Sequence, residues 1–398
     1  MSRSILVLNA GSSSVKFALY SPEHDALLVR GRIERVGTPE AMLRFERFFS
    51  GGSGTEEEVQ EYPVMVGADN ALPFLLDLLL RERLLGSLRD IAAVGHRVVH
   101  GGALYAAAAV VDDKVLRDIE ELSRFAPLHQ PHNLHGIRQS MRLLRVPNVA
   151  VFDTAFHQTM KPKVYLYGIS PELYRRYGIR KYGFHGTNHK RCALAAGEIL
   201  GGMPRRMVTC HLGNGSSVTA VLDGKSVDTS MGFTPTDGLL MGTRSGAMDP
   251  EAVLYLLREL HKSPKKIGEF LNQESGLKAI AGTEDVRDIW RMACDGDENA
   301  KLALDMLAYR IAGFIGSYAA ALNGLDCLVF TGGIGENAWY VRSEVCRQLG
   351  HLGVRLDTDR NQANVQEISA QDGKVKVLII PADEELQIGR ETRDALGL

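Results

Sequence analysis

Three loops of the chain carry glycines, hydroxyl side chains and cations at spacings that suit phosphate binding. The first loop spans residues 9–14 and is followed by Lys16, and the second spans residues 211–217. The third spans residues 331–337, after a short apolar run. Backbone N–H groups of tight turns bind phosphate oxygens, and an ammonium group adds positive charge. Each loop alone is more often an ordinary turn, but the three together favour phosphate binding.

The third loop also matches a loose dinucleotide-binding fingerprint. Gly333, Gly335 and Ala338 occupy its small-residue positions, and the acidic Asp357 and Asp359 follow roughly 20 residues later, as the motif requires. Glu336, however, would repel a pyrophosphate, and the fingerprint leaves the two earlier loops unexplained. Binding of a nucleoside triphosphate is therefore the favoured interpretation, and an NAD-linked dehydrogenase is a remote alternative.

Two arginines stand among glycines and could bind an anionic substrate. Arg97 lies within residues 95–102, and Arg244 lies within residues 242–246. A guanidinium group pairs bidentately with carboxylate or phosphate, as phosphoryl transfer requires, although a structural ion pair is the alternative for either arginine alone. The sequence has neither a GxxxxGKS or GxxxxGKT motif nor the HRD and DFG pair, which excludes P-loop and protein-kinase architectures. The paired histidines lack the HExxH pattern, so no zinc centre is predicted.

Composition narrows the class of protein further. The chain has 398 residues, of which 45% are hydrophobic, and a formal net charge of -2. This length suffices for two globular cores, and the balanced charge predicts no nucleic-acid partner. The five cysteines are scattered, and neither a signal-peptide core nor a membrane segment is evident, which predicts a cytoplasmic protein with reduced thiols.

Strands and helices alternate along the chain and would position these loops. Two strand–turn–strand patterns, at 5–20 and 207–222, surround the first two loops and suggest a duplication of α/β domains. The glycine-rich and acidic composition of residues 51–58 predicts an exposed loop. Helices are predicted at 71–84, 113–125, 132–144, 188–200, about 250–272, 284–323 and 338–349, and further strands at 91–94, 147–152, 327–330 and 375–380.

Several ordered motifs make the sequence resemble the acetate kinases, within the superfamily of acetate and sugar kinases, Hsp70 and actin. The motifs are LNAGSSSVK (8–16), GHRVVHGG (95–102), APLH (126–129), FDTAFH (152–157), YGFHGT (182–187), HLGNG (211–215), FTGGIGEN (330–337) and PADEEL (381–386). Together they cover essentially the whole chain.

The resemblance implies an α/β fold of two duplicated actin-like (ribonuclease H-like) domains with an interdomain nucleotide cleft. The N-terminal domain would comprise residues 1–152 and be completed by a C-terminal helix at 385–398. The C-terminal domain, residues 153–384, would bind the nucleotide and form the contacts of a homodimer. The implied reaction is reversible, Mg²⁺-dependent transfer of a phosphoryl group from ATP to acetate, giving acetyl phosphate and ADP, with Mn²⁺ as a substitute metal.

The resemblance also assigns roles to individual side chains. Catalysis falls to Asp153, His185, Arg244 and Arg97. The acid would contact Arg97, Val99, Leu128, His129, Phe184 and Pro235. The nucleotide would contact Lys16, Ser12, Ser14, His211, Leu212, Gly213, Asn214, Gly215, Asp285, Val286, Arg287, Gly333, Ile334, Gly335, Glu336 and Asn337. Mg²⁺ would be held by Asn9 and Glu384.

The chain departs from the family pattern at three positions. Gln130 and Asp383 each stand where Asn is usual, and Glu284 stands where Ser is usual. The two acidic departures are expected to change metal or nucleotide affinity without abolishing activity. Because a carboxylate substrate is already ionised, no strong general base is required, and direct in-line transfer is predicted, with Asp153 ordering ligands. A phosphoenzyme on Glu384 is the alternative mechanism.

Two other functions remain open at this stage. A propionate or butyrate kinase would use the same scaffold, and Val99 mildly favours the shorter acid, although one methylene discriminates by only about 1 to 3 kcal/mol. The alternative from another class is an actin- or Hsp70-like ATPase that uses nucleotide as a conformational switch.

Overall fold

The computed structural model describes residues 3–11, 13–21, 25–51, 54–67 and 69–398, with the backbone alone for 49–51 and 54–58. The chain forms two compact units. The first unit comprises Met1–Ala155 and Asp383–Leu398, and the second comprises Phe156–Ala382. Among the described residues, no helix is both long enough and apolar enough to cross a membrane.

The strands fall into two sheets, one in each unit. The first sheet contains β1 (Ser4–Ala10), β2 (Ser14–Ser21), β3 (Ala26–Glu34), β4 (Met42–Gly51), β5 (Gly54–Pro63), β6 (Ile91–Val98), β7 (Ala109–Val110) and β8 (Asn148–Phe152), in the order β5-β4-β3-β2-β1-β6-β8-β7. The second sheet contains β9 (Arg206–Leu212), β10 (Ser216–Leu222), β11 (Lys225–Thr229), β12 (Cys327–Thr331) and β13 (Lys376–Ile379), in the order β11-β10-β9-β12-β13.

The two sheets share one topology. In the first, β3-β2-β1 are antiparallel neighbours, while β6 and β8 continue from β1 in parallel. In the second, β11-β10-β9 are antiparallel, and β12 and β13 continue from β9 in parallel. This repeated order of three antiparallel and two parallel strands confirms the predicted duplication within an α/β fold.

The helices cover both sheets. They are α1 (Ala71–Arg81), α2 (Asp113–Leu122), α3 (Gln130–Leu143), α4 (Pro162–Tyr165), α5 (Pro171–Tyr177), α6 (Gly186–Leu200), α7 (Pro250–Glu259), α8 (Pro264–Gln273), α9 (Gly276–Ala281), α10 (Val286–Cys294), α11 (Glu298–Leu322), α12 (Gly332–Asn337), α13 (Trp339–Arg347), α14 (Thr358–Gln362) and α15 (Glu384–Leu396). Short 3-10 helices occupy Leu88–Asp90, Ala155–Thr159 and Gly350–Leu352.

Four details of the predicted secondary structure are wrong. Residues 51 and 54–58 lie in strands β4 and β5 and not in an exposed loop. The predicted helix at 250–272 is two helices, because Ser263 caps α8 and Pro264 opens it. The predicted helix at 284–323 is likewise divided, by Gly296 at φ +99° and the cap Asp297. The third glycine-rich loop is largely the short helix α12.

Helix α15 packs on the first sheet at a glycine. A Cβ on Gly95, in β6, would lie 2.9 Å from Cγ2 of Ile388 and would collide with Thr392, both on α15. Only glycine therefore allows this close approach. The packing brings the first turn of α15 near Arg97, two residues further along β6.

Candidate active site

Arg97 and Asp153 form an ion pair at the carboxyl ends of two neighbouring strands. Arg97 lies near the end of β6, and Asp153 directly follows β8, which is parallel to β6. Nε of Arg97 donates to both carboxylate oxygens, at 3.2 and 3.0 Å, and Nη2 donates to Oδ2 at 2.6 Å. The Asp153 side chain is 1% exposed and that of Arg97 is 22% exposed. The pair fixes the plane of the guanidinium group while leaving its Nη1 without a hydrogen bond among the described residues.

Glu384 supplies a second carboxylate to this arginine. Its Oε2 lies 3.6 Å from Nε of Arg97. Burial acts to lower the pKa of Arg97, but the carboxylates of Asp153 and Glu384 outweigh it and raise that pKa above its usual value. Arg97 is therefore a permanent cation at the position predicted to bind the acid.

The departure at Asp383 serves as a helix cap. Oδ1 of Asp383 accepts hydrogen bonds from the backbone N–H of Leu386, at 3.0 Å, and from the hydroxyl group of Tyr20, at 3.3 Å. A side-chain oxygen at this position satisfies an otherwise unpaired N–H group of the first turn of α15. The negative charge of Asp383 is thus partly compensated within the first unit.

The residues predicted to hold Mg²⁺ also belong to the first unit. Asn9 is 8% exposed and lies opposite Lys16 in the β1–β2 hairpin. Burial raises the pKa of Glu385, and the neighbouring Glu384 raises it further, whereas Lys16 opposes both effects. Mg²⁺ usually takes one or two carboxylate or amide oxygens from protein and completes its shell with phosphate and water, so Asn9 and Glu384 fit this metal chemically. Within the described residues, no three His, Cys, Asp or Glu side chains are grouped as metal ligands.

The remaining predicted acid-binding residues of the first unit surround the start of α3. Gln130 pairs with both backbone groups of His100: its Oε1 accepts from N at 3.1 Å, and its Nε2 donates to O at 2.7 Å. This paired contact explains how the departure at Gln130 is accommodated. Val99 is 8% exposed, whereas Leu128 is 61% exposed. His129 is the N-cap residue of α3.

Four side chains of the second unit form a linked histidine cluster. His185, at the N-cap of α6, has a left-handed backbone with φ +56°. Its imidazole ring stacks on that of His211, in β9, with centroids 4.1 Å apart. Oγ of Ser217 lies 2.9 Å from Nδ1 of His185 and 2.7 Å from Nε2 of His189. A left-handed non-glycine residue is strained, and such strain is concentrated at functional sites.

A second polar side chain, Asn188, orients His211. Nδ2 of Asn188 lies 2.7 Å from Nδ1 of His211 and 3.3 Å from Oγ1 of Thr331. Because an amide nitrogen only donates, Nδ1 of His211 accepts, and Nε2 carries the ring proton. Asn188 was not predicted as a functional residue, and Ser217 was predicted only as part of the second loop, because a neutral polar side chain beside a histidine carries no spacing signal.

Arg244 and His185 meet around the second loop. A Cβ on Gly215 would lie 3.5 Å from both Nη1 of Arg244 and Cε1 of His185. Nη1 of Arg244 also donates to the carbonyl of Pro235, at 3.2 Å, and burial lowers the pKa of Arg244. Phe184 is 2% exposed, next to His185 in sequence. The second unit therefore brings together the predicted Phe184, His185, Pro235 and Arg244.

A cavity of about 610 Å³ lies in the second unit. We call it the Gly213–Gly333 cavity. Eight residues predicted to bind nucleotide line it: Gly213, Asn214, Asp285, Val286, Arg287, Gly333, Ile334 and Asn337. The departure at Glu284 also lies in the lining. Oδ2 of Asp285 is 2.5 Å from Nη2 of Arg287, and the hydrogen bonds from Arg287 lower the pKa of Asp285 to about 2.

An aromatic wall, formed by Trp290, Trp339 and Tyr340, completes this cavity. The rings of Trp290 and Tyr340 are stacked, with centroids 4.2 Å apart and an interplanar angle of 10°. Trp339 meets Trp290 edge-on, at 5.7 Å. The hydroxyl of Tyr340 donates to the carbonyl of Val286, at 3.1 Å. Sequence reasoning missed this wall, since its members come from two helices, α10 and α13, that are distant in sequence.

Other predicted nucleotide residues lie outside the lining of this cavity. Glu336 accepts hydrogen bonds through Oε1 from the backbone N–H groups of Gly332 and Ala382, at 2.8 and 2.9 Å. The side chain of Leu212 is buried, and a Cβ on Gly335 would face the protein interior. Leu212, Gly335 and Glu336 are therefore not part of the cavity lining. The same holds for His211 and Gly215. Ser14 and Lys16 belong to the first unit, and Ser12 lies outside the described residues.

The sequence motifs that supply this geometry also match a known protein family. The family model described as the acetokinase family matches residues 4–390. The chain belongs to the acetokinase family. The matched range includes every residue that was assigned a role from the sequence.

Individual acetokinase-type relatives align with nearly the whole chain. An acetate kinase of Carboxydothermus hydrogenoformans is 48% identical over 395 residues, which cover 98% of each chain. The crystal structure of a propionate kinase from Francisella tularensis has a TM-score of 0.91 at 41% identity and covers 98% of this chain and 99% of that chain. That of an acetate kinase from Porphyromonas gingivalis has a TM-score of 0.89 at 38% identity and covers 99% and 100%. The chain is thus similar to kinases named for two short carboxylic acids.

Proposed function

We propose that this chain is an acetate kinase, which transfers a phosphoryl group reversibly from ATP to acetate and produces acetyl phosphate and ADP. The near-full-length similarity to an acetate kinase, at 48% identity, carries the proposal. Arg97 gives it a chemical basis, because a fixed cation with an uncommitted Nη1 suits a small carboxylate. Acyl phosphates are high-energy compounds, so synthesis of ATP from acetyl phosphate should also proceed.

The Gly213–Gly333 cavity is the proposed site for the adenosine part of the nucleotide. Its volume of about 610 Å³ lies within the range of roughly 300 to 1,000 Å³ that is common for small-molecule sites. The aromatic wall offers flat apolar surface for the base, and the Asp285–Arg287 pair offers polar groups for the ribose. The phosphates would then extend toward Gly215, where Arg244 and His185 lie.

His185 and Arg244 are proposed to stabilise the phosphoryl group in transit, together with Arg97. Preorganised donors of this kind act on charge that develops in the transition state. The ion pair of Asp153 with Arg97 supports an orienting role for Asp153 and not proton abstraction. Asn9 and Glu384 would hold Mg²⁺, which neutralises phosphate charge, and Mn²⁺ is expected to replace it.

Acid selectivity is the part of the proposal for which the relatives differ. The similarity to a propionate kinase keeps propionate as the second candidate substrate. We propose that Val99, Leu128, His129, Phe184 and Pro235 contact the acid, and that Val99 limits its chain length. Replacement of Val99 by alanine should then raise the relative kcat/KM for propionate by about 5- to 160-fold, which corresponds to about 1 to 3 kcal/mol for one methylene.

The decisive assay traps acyl phosphate with hydroxylamine, using purified protein, Mg-ATP and either acetate, propionate, butyrate or no acid. Acetate should give the highest kcat/KM. A higher value for propionate would reassign the substrate, and ATP hydrolysis without acid dependence would favour a switch ATPase. Val98→Ala is the matched control for Val99→Ala, because it makes the same truncation at the neighbouring, fully buried position.

Direct transfer and a phosphoenzyme on Glu384 make different stereochemical predictions. Glu384 is already in an ion pair with Arg97, which favours a binding role for its carboxylate. A single in-line transfer inverts the configuration at a chiral phosphorus, whereas two successive transfers retain it. We expect inversion, and retention would establish the covalent route.

We further infer a homodimer formed through helix α7. This helix has no buried residue, and Leu254, Tyr255 and the following Leu260 are 46%, 56% and 42% exposed. An apolar surface of this kind is typical of contacts between subunits. Light scattering should give a dimer for the wild type and a monomer for Leu254→Glu. Leu302→Glu, at a similarly exposed leucine on α11, should remain dimeric.

We also propose that the two compact units are the two duplicated domains. The boundaries expected from sequence, residues 1–152 with 385–398 and residues 153–384, lie within three residues of those of the units. Limited proteolysis that cuts first near residues 152–156 and 382–385 would support the domain boundaries.

We also propose a cytoplasmic location, which accords with five free cysteines, four of which are buried.

A further inference from the structure

A second cavity adjoins the aromatic wall. It has a volume of about 510 Å³ and is bounded by residues of α10, α11 and α13. Trp290, Trp339 and Tyr340 line both this cavity and the Gly213–Gly333 cavity. Apart from the aromatic wall, which it shares with the proposed adenosine site, none of the residues assigned to ATP, acetate or Mg²⁺ lines it. We call it the Cys294 cavity, after the cysteine in its lining.

The interior of the Cys294 cavity is apolar. Ala293, Ala308 and Val341 contribute buried side chains, and Leu304 is partly buried. Together with the aromatic wall and Cys294, they make up eight of the thirteen lining residues, and the other five are the polar Lys301, Asp305, Ser343, Glu344 and Arg347. This is the usual composition of a site for a small organic molecule.

The charged side chains of this lining are paired unequally. Glu344 accepts from Nε and Nη2 of Arg347, at 2.9 and 2.6 Å, and Lys301 donates to Glu298 at 2.8 Å. Asp305 forms no salt bridge within the described chain, although its charge helps to raise the pKa of Arg347. The lining thus holds two cations and two carboxylates, but Lys301 is paired with Glu298 outside the lining, so Asp305 is the lining carboxylate without a salt bridge to any described residue. Aromatic faces and an unpaired carboxylate both attract cations.

We propose that the Cys294 cavity is a second ligand site, for a small organic cation with an apolar body. The aromatic wall and the carboxylate of Asp305 would contact the cationic group, and Ala293, Leu304 and Val341 would contact the apolar body. A substituted ammonium ion suits such a cage better than an inorganic cation, because it is weakly hydrated and its substituents fill apolar space.

Cys294 offers a direct readout of occupancy. It is exposed and free, whereas Cys192, Cys210, Cys327 and Cys346 are buried. A thiol reagent should therefore modify Cys294 selectively, and a ligand in the cavity should shield it. The probe cation is benzyltrimethylammonium, which combines a quaternary ammonium group with one aromatic ring. Benzenesulfonate and benzyl alcohol are its anionic and neutral counterparts.

The experiment measures the rate at which N-ethylmaleimide modifies Cys294 in the full-length protein, by mass spectrometry with peptide mapping. Benzyltrimethylammonium should slow the reaction saturably, by about fivefold or more, whereas the two counterparts should have little effect. The rate with glutathione in place of protein corrects for any direct effect of the additives. Absence of slowing, or equal slowing by all three additives, would overturn the proposal.

An isosteric variant tests the carboxylate. Asp305→Asn removes the charge with little change of shape. It should raise the concentration of benzyltrimethylammonium that gives half-maximal protection about tenfold. Asp359→Asn, at an exposed acid on α14, should protect like the wild type. If Asp305→Asn is protected as well as the wild type, the cation specificity of the site is wrong. Peptide mapping of Cys294→Ser, which lacks the reporter thiol, should show no modification at this position.

Discussion

The imidazole rings of His185 and His211 lie parallel within 25°, with centroids 4.1 Å apart, and each is held by its own polar partner. Ser217 contacts Nδ1 of His185, and Asn188 contacts Nδ1 of His211. Each ring of the stack is therefore oriented through its Nδ1 atom. A change in either partner should disturb the proposed contact of one ring with phosphate while leaving the fold intact.

Asn188→Asp should weaken nucleotide binding. The carboxylate accepts where the amide donates, so Nδ1 of His211 would become protonated and the ring would lose its present tautomer. We expect KM for ATP to rise about tenfold, with a smaller change in kcat, as steady-state kinetics would measure. Asn188→Leu, which removes the bond without adding charge, should have a smaller effect. Equal KM values for Asn188→Asp and the wild type would contradict the orienting role.

Ser217→Ala should reduce kcat more than it changes KM. The substitution leaves Nδ1 of His185 and Nε2 of His189 without their shared hydroxyl, and loss of orientation at a reacting group costs up to about 100-fold. Thr209→Val is the matched control, because it removes the hydroxyl on Nδ1 of His189 but leaves His185 in place. If both variants lose the same activity, His185 is not the side chain that Ser217 positions.

Asp153→Ala should destabilise the protein as well as inactivate it. Removal of the partner leaves the guanidinium group of Arg97 largely buried and without Asp153. This should lower the free energy of unfolding by about 2 to 4 kcal/mol, slightly less than for a fully buried pair, because part of Arg97 remains exposed. Urea denaturation measures this change. The double variant Arg97→Met/Asp153→Leu should regain much of the stability and remain inactive. Activity in the double variant would show that the pair is only structural.

Acid should destabilise the folded protein through buried histidines. Burial lowers the pKa of His96 and of His157 to about 4 and that of His189 well below its usual value, 6.5. Below pH 6.5 the unfolded chain binds protons that the folded protein does not. The free energy of unfolding should therefore fall between pH 6.5 and about 4, by about 1.4 kcal/mol per pH unit for each such histidine. Above pH 6.5 these groups contribute no further change.

Urea midpoints between pH 5 and 7.5 would measure this slope. His157→Gln should make the slope shallower by the share of one histidine. His351→Gln, at an exposed histidine, should retain the wild-type slope. A wild-type slope in His157→Gln would mean that His157 takes up protons in the folded state.

The sequence was most informative where one residue pattern determines local structure. The hairpins β1–β2 and β9–β10 were predicted because apolar runs flank a glycine- and serine-rich turn. Strands β4 and β5 were not, because the acidic segment 56–58 lies in a strand that no apolar alternation marks. The breaks before α8 and α11 did have local signals, Ser263-Pro264 and Gly296-Asp297, which the longer apolar periodicity obscured.

The candidate site was predictable to a different extent. Arg97, Arg244 and the glycine-rich loops stand in motifs, so their chemistry could be inferred from residue types and from family resemblance. The pairing of Arg97 with Asp153 and the stacking of His185 on His211 depend on which strands become neighbours, and local sequence does not contain that information. The aromatic wall is a further case, because Trp290 and Tyr340 meet only after α10 and α13 pack together.

The aromatic wall gives the protein a built-in optical reporter. The chain has two tryptophans, Trp290 and Trp339, and both belong to this wall. Its intrinsic fluorescence therefore arises almost wholly from the aromatic wall, which lies between the two cavities. Within this wall, the ring of Trp290 is stacked on that of Tyr340. Entry of an adenine ring on one side, or of a cation on the other, should change emission intensity or wavelength without any attached dye. The two occupancies could thus be followed in the unmodified protein, in real time, by the same signal.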